Sequence, residues 1–180
     1  MSIGLGDVCG TRSYSALHRD LSVREVEAVR RVSQFCTARV LAVDLDDPLP
    51  YVVSEYVAGP NLQQAVDDDG PYKPDDLYRL AVGSATALTA VHRAGVVHRD
   101  LKPANVLLGP DGPRVIDFGI ARTEDMSQSA TGMKGTPRYM APEVFQGKSP
   151  GPAVDVWAWG ATILFAASGR TPSTASPCPS

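Results

Sequence analysis

Two short motifs and the segment joining them fix what this 180-residue chain can fold into. The first is His98-Arg99-Asp100-Leu101-Lys102-Pro103-Ala104-Asn105. The second, Asp117-Phe118-Gly119, begins twelve residues after Asn105. Between them, Val106-Leu107-Leu108 and Arg114-Val115-Ile116 flank the turn sequence Gly109-Pro110-Asp111-Gly112. Runs rich in branched residues around a Gly/Pro/Asp turn predict a small antiparallel hairpin. That hairpin carries the loop of Asp100 and Asn105 on one side and the turn of Asp117 on the other. A third element, Ala141-Pro142-Glu143, follows further on. The five fixed letters of H-R-D-L-x-x-x-N alone would arise in a chain of this size about once in 10⁴ random sequences.

The flanking sequence supplies further elements. Val23, Val26, Val29 and Val32 recur at helical spacing with charges between them, predicting an amphipathic helix from Ser22 to about Phe35. Arg39 to Asp44 and Pro50 to Tyr56 read as strands joined through Asp46-Asp47-Pro48, a second hairpin. Gly59-Pro60 ends this strand region, and Asn61 is placed to cap a short helix. A longer helix is expected from Pro74-Asp75 to His92-Arg93, with Gly95 closing it. The last helix is expected over Asp155 to Ala167.

Composition narrows the function classes. A net charge of −3 gives no reason to expect nucleic acid or an anionic membrane as partner. Cys9, Cys36 and Cys178 are scattered and odd in number, which argues against a disulfide framework or structural zinc and for a reducing, cytoplasmic setting. No charged N-terminal region leads into an apolar run, so a secretory leader is not expected. The most apolar stretch, Val156 to Ala167, is about a dozen residues and too short to span a bilayer.

The three motifs, in this order and spacing, resemble the catalytic loop, the metal-binding turn and the A-P-E element of the serine/threonine protein kinases. Abundant alanine, proline and arginine point to a bacterial, eukaryotic-like member. The resemblance implies an α+β, protein-kinase-like fold, with a partial small lobe (helix plus hairpin) and an incomplete, mainly helical large lobe. It also implies transfer of the ATP γ-phosphate to Ser/Thr hydroxyls of protein substrates. Asp100 would orient the substrate hydroxyl and accept its proton. Lys102 would stand beside the transferring phosphate, and Thr136 would link both to the substrate-docking strip. Asn105 and Asp117 would supply oxygen ligands to Mg²⁺, a hard ion that favours such donors. Glu55 and Val57 would hold the adenine edge through their backbone, with Ser54 behind the ring and Leu107 as its floor.

Other positions take architectural roles by the same resemblance. His98 would pack under Phe118, and Asp155 would hydrogen-bond the backbone of the catalytic loop. Arg99 resembles the subgroup controlled by phosphorylation between Gly119 and Ala141, where Ser127, Ser129 and Thr131 are the candidate acceptors. Glu25, with Glu27 as runner-up, matches the helix glutamate of the small lobe.

Some of the pattern is not found. No G-x-G-x-x-G-x-V segment precedes the first helix, and no lysine stands before Lys73 to serve as the strand lysine. The resemblance spans residues 22–170, with 1–21 read as an irregular segment and 171–180 as a disordered Pro/Ser/Thr tail. Both ends of the domain are expected to be truncated. Glu143 would then lack its arginine partner, and lower-lobe apolar faces would be open for association with another chain. Two alternative readings stand beside the kinase: a degenerate member acting as a nucleotide-binding or scaffold module, and a non-functional gene fragment.

Overall fold

The computed structural model describes residues 37–44, 51–117, 137–146 and 151–172. The expected helix at 22–35 lies outside them. Strands β1 (Val40–Asp44) and β2 (Tyr51–Ser54) form the first hairpin, antiparallel, with Val40 opposite Ser54 and Asp44 opposite Tyr51. The register shifts between Val40 and Ala42, a bulge at Leu41. Pairing continues one residue past β2, where Glu55 N–H donates to the Arg39 carbonyl at 2.8 Å.

Helix α1 (Leu62–Asp69) starts where the sequence placed a cap. Asn61 Oδ1 accepts from the Gln64 N–H at 2.9 Å, and Gln64 Oε1 accepts from the Asn61 N–H at 3.0 Å, a reciprocal capping box. Helix α2 runs Pro74–Arg93, the span expected from Pro74 and Asp75 at its start and Gly95 after its end. Asp75 and Asp76 in its first turn and His92 and Arg93 in its last complement the helix dipole. Its buried side chains Leu80, Ser84, Ala87, Leu88 and Val91 repeat every three or four residues, so a single stripe faces inward.

Strands β3 (Val106–Gly109) and β4 (Gly112–Val115) form the second hairpin, with Gly109 opposite Gly112 and only two residues in the turn. The hairpin lies on α2, where Pro113 occupies the space that a Cβ on Gly83 would fill, 2.5 Å from Pro113 Cγ. Helix α3 (Pro152–Ser168) begins three residues earlier than expected, because Gly151 and Pro152 form a helix start rather than a loop. It ends at left-handed Gly169, whose N–H donates to the Phe165 carbonyl at 2.8 Å.

One apolar core joins these parts. Leu62 and Val66 of α1, Leu80 and Leu88 of α2, Val106 and Val115 of the hairpin and Phe165 of α3 share it, with Leu101 from the first motif. Burying a Leu or Phe side chain contributes roughly 1.5–3 kcal/mol each, so Leu101 anchors the motif loop by ordinary packing. Across α2 and α3, Trp159 Nε1–H donates to Ser84 Oγ at 3.0 Å. The outer face of α3 leaves Val156, Trp157 and Leu164 more than half exposed. No helix among the described residues is long and apolar enough to cross a membrane.

Candidate active site

The first motif folds as an extended loop leading into a 3-10 turn at Pro103–Asn105. Leu101 and Pro103 point into the core, while Asp100 and Lys102 stay partly exposed. This alternation follows from the extended backbone of Lys102, at φ −162 and ψ 165. Lys102 Nζ donates to Asp100 Oδ2 at 2.9 Å. Asn105, 5% exposed, donates its Nδ2–H to the Asp100 carbonyl at 2.9 Å, closing the loop on itself. The same nitrogen lies 3.5 Å from Asp100 Oδ2.

The hairpin then delivers Asp117. Ile116 N–H donates to the Asn105 carbonyl at 3.0 Å, and the Ile116 carbonyl accepts from His98 Nε2 at 2.9 Å. Both peptide groups that flank Ile116, the residue before the second motif, are thereby tied to the first. The Asp100 N–H lies 3.3 Å from His98 Nδ1 and donates to it. These two partners make His98 a neutral imidazole with its proton on Nε2. The ring is fully buried, and that burial lowers its pKa below the ordinary value, against opposing pulls led by Asp155 and the Ile116 carbonyl.

Beneath the loop lies Asp155, the only charged residue of α3, with no exposed surface. Its Oδ2 accepts from the His98 N–H at 2.7 Å, and its Oδ1 accepts from the Arg99 N–H at 2.8 Å. His92 Nε2, from the last turn of α2, lies 2.7 Å from the same Oδ2. Arg99 and Asp117 have φ of 62 and 52, unfavourable values for residues with a Cβ. Such backbone persists only where neighbouring bonds over-determine it.

The donor chemistry suits a hard cation. With its nitrogen committed to the Asp100 carbonyl, Asn105 keeps an amide oxygen as its remaining acceptor, and Asp117 adds an exposed carboxylate. Among the described residues no three His, Cys, Asp or Glu side chains converge as a metal cage. Two protein oxygens completed by phosphate and water are how Mg²⁺ is ordinarily held.

Comparison with known proteins identifies the family. The protein kinase domain model matches residues 8–177. The chain belongs to the protein kinase family. It is 47% identical over 152 residues to the probable serine/threonine-protein kinase PkwA of Thermomonospora curvata, covering 83% of this chain and 20% of that protein. It is 45% identical over 159 residues to the serine/threonine-protein kinase AfsK of Streptomyces griseus, covering 87% of this chain and 20% of that protein. The chain thus spans about a fifth of the length of these curated relatives. Rad53 in complex with AMP-PNP superposes with a TM-score of 0.72 at 28% identity, over 88% of this chain and 40% of that one. The Mycobacterium tuberculosis PknI kinase domain gives 0.69 at 26% identity, over 87% and 59%. The α+β kinase-like fold expected from the motifs is the fold observed.

Of the expected site residues, Asp100, Lys102 and Asn105 converge, and Asp117 is joined to them through Ile116. Leu107 is half-buried on β3, where it bridges Asn61, and Val57 is 9% exposed beside Gly109. Glu55 follows β2, and Ser54 is exposed at its end. Thr136, Phe118, Gly119, Ser127, Ser129, Thr131, Glu25 and Glu27 lie outside the described residues. His92 was not anticipated. Its one sequence signal, a basic residue in a helix's last turn, suggests a helix-dipole role rather than a partner 63 positions away.

Proposed function

We propose that this chain is a serine/threonine protein kinase that transfers the γ-phosphate of ATP to Ser or Thr hydroxyls of protein substrates. The observation that carries the reading is the contact of Lys102 Nζ with Asp100 Oδ2 at 2.9 Å, in a loop closed by Asn105 and tied to Asp117. In the proposed reaction the substrate hydroxyl oxygen forms a bond to the γ-phosphorus, the bond to the β–γ bridging oxygen breaks, and ADP departs. Asp100 receives the hydroxyl proton. Lys102 offsets charge on the transferring phosphoryl group, the kind of preorganised stabilisation that dominates this chemistry.

Asn105 and Asp117 would hold Mg²⁺, which supplies charge neutralisation at the phosphates when bound. Glu55 and Val57 would meet the adenine edge through backbone groups, above Leu107. The kinase neighbour solved with AMP-PNP supports ATP as the nucleotide. Thr136 would connect Asp100 and Lys102 to the bound substrate segment, and the cytoplasm, with its ATP, is the setting of the proposed reaction.

The test is transfer of radiolabelled γ-phosphate to a generic protein acceptor. Activity that disappears in both Asp100→Asn and Asp117→Asn supports the assignment. Activity retained in Asp117→Asn would overturn the metal assignment. Mg²⁺-dependent nucleotide binding without any transfer would make the chain a nucleotide-binding module instead.

A further inference from the structure

Arg114 lies outside the catalytic constellation, yet it joins the two hairpins by their side chains. From β4 its Nη1–H donates to Glu55 Oε1 at 2.8 Å across 59 positions of sequence, and its Nη2 lies 3.4 Å from Asp111 Oδ2. The Arg114 side chain is 17% exposed and that of Glu55 28%, whereas Asp111 is 68% exposed. The contact with Glu55 is therefore the sheltered one. Backbone ties flank it: Thr37 bridges Val115, and Leu108 N–H donates to the Pro60 carbonyl at 2.9 Å.

The positions of the two partners give the pair its meaning. Glu55 opens the segment whose backbone would hold adenine, with its N–H fixed to Arg39. Arg114 stands opposite Leu107, the expected floor of that site, and three residues before Asp117. An arginine fork fixes direction as well as distance, which a lysine point charge does not. We propose that Arg114 is a positioning residue that clasps the adenine-binding segment to the strand leading into Asp117, so that nucleotide affinity depends on the Glu55–Arg114 pair. This rests on the nucleotide reading above. A preorganised site binds more tightly because less ordering remains to be done on binding.

The experiment is titration of the folded chain with Mg²⁺–ATP and, separately, with adenosine. The wild type is compared with Arg114→Met, Arg114→Lys, Glu55→Gln and the Glu55→Gln/Arg114→Met pair. Arg114→Met and Glu55→Gln should each weaken both ligands about fivefold, the upper end for a partly sheltered ion pair. The double variant should bind no more weakly than Arg114→Met alone, because both singles remove the Glu55–Arg114 contact. Arg114→Lys should recover part of the loss. Unchanged affinity in Glu55→Gln, or additive losses, would overturn the clasp. Weakening of ATP alone, with adenosine unaffected, would also overturn it, since Arg114 would then act on the phosphates. A folded wild type that binds neither ligand would overturn the nucleotide reading itself and the clasp with it.

Discussion

The Asp155 carboxylate receives the Arg99 N–H at 2.8 Å while Arg99 is held at φ 62. A residue with a Cβ in that region carries strain of roughly 1–3 kcal/mol, offset here by a buried, charge-assisted bond. The residue after it is Asp100. One carboxylate on α3 thus sets the backbone direction from which the proposed proton acceptor projects.

Asp155→Asn should destabilise the chain by about 2–3 kcal/mol, the cost of facing an amide NH₂ toward buried donors. Three groups lie against this carboxylate, the N–H groups of His98 and Arg99 and the His92 ring, and one amide oxygen cannot replace two carboxylate oxygens. Thermal unfolding checks this. A melting temperature equal to that of the wild type would mean the loop is held elsewhere.

Acid should destabilise the fold through His98. Its folded-state pKa is lowered by burial, so the unfolded chain takes up a proton first as pH falls. Its contribution is complete above the unfolded value of about 6.5 and is lost as pH falls below it, with a slope approaching about 1.4 kcal/mol per unit. Denaturant midpoints measured from pH 7.5 to 5 should fall less steeply in His98→Asn. Parallel curves would count against the buried neutral imidazole.

Lys102→Met should lower phosphate transfer about 10²-fold, as for loss of one preorganised charge-stabilising donor. Lys102→Arg should restore little of it, because a planar fork does not reproduce a compact ammonium beside Asp100. Steady-state kinetics at saturating ATP provide the measurement, and an unchanged kcat in Lys102→Met would remove Lys102 from the chemistry.

Two glycine replacements should move stability in opposite directions. Gly59 has φ 140, and a Cβ there would lie 2.1 Å from the Leu108 carbonyl oxygen, so Gly59→Ala must displace backbone. A loss above about 2 kcal/mol is expected. Gly160 lies within α3, exposed, with nothing within 4 Å of a built Cβ, so Gly160→Ala should gain about 0.5–1 kcal/mol. Chemical denaturation of both variants gives the signs directly.

Much of the local structure was legible in the chain. Pro74, Asp75 and Gly95 bounded α2, Asn61 marked the start of α1, and the Gly109–Gly112 turn set the second hairpin. These are short-range effects, decided by backbone stereochemistry and by hydrogen bonds spanning a few residues. Asp100, Lys102 and Asn105 were legible through the kinase motif they resemble, and a stretch of six residues with one 3-10 turn brings them together.

What the sequence by itself determined, then, was the identity of the described helices and hairpins and, through the family it resembles, which residues to expect at the site. Tertiary structure decided which distant groups hold them in place. His92 meets Asp155 across 63 positions and Glu55 meets Arg114 across 59, and no periodicity records either pair. The reason is physical. An isolated His, Glu or Arg is satisfied by water in any local conformation, and only packing α2 against α3 and one hairpin against the other excludes that water and fixes a partner.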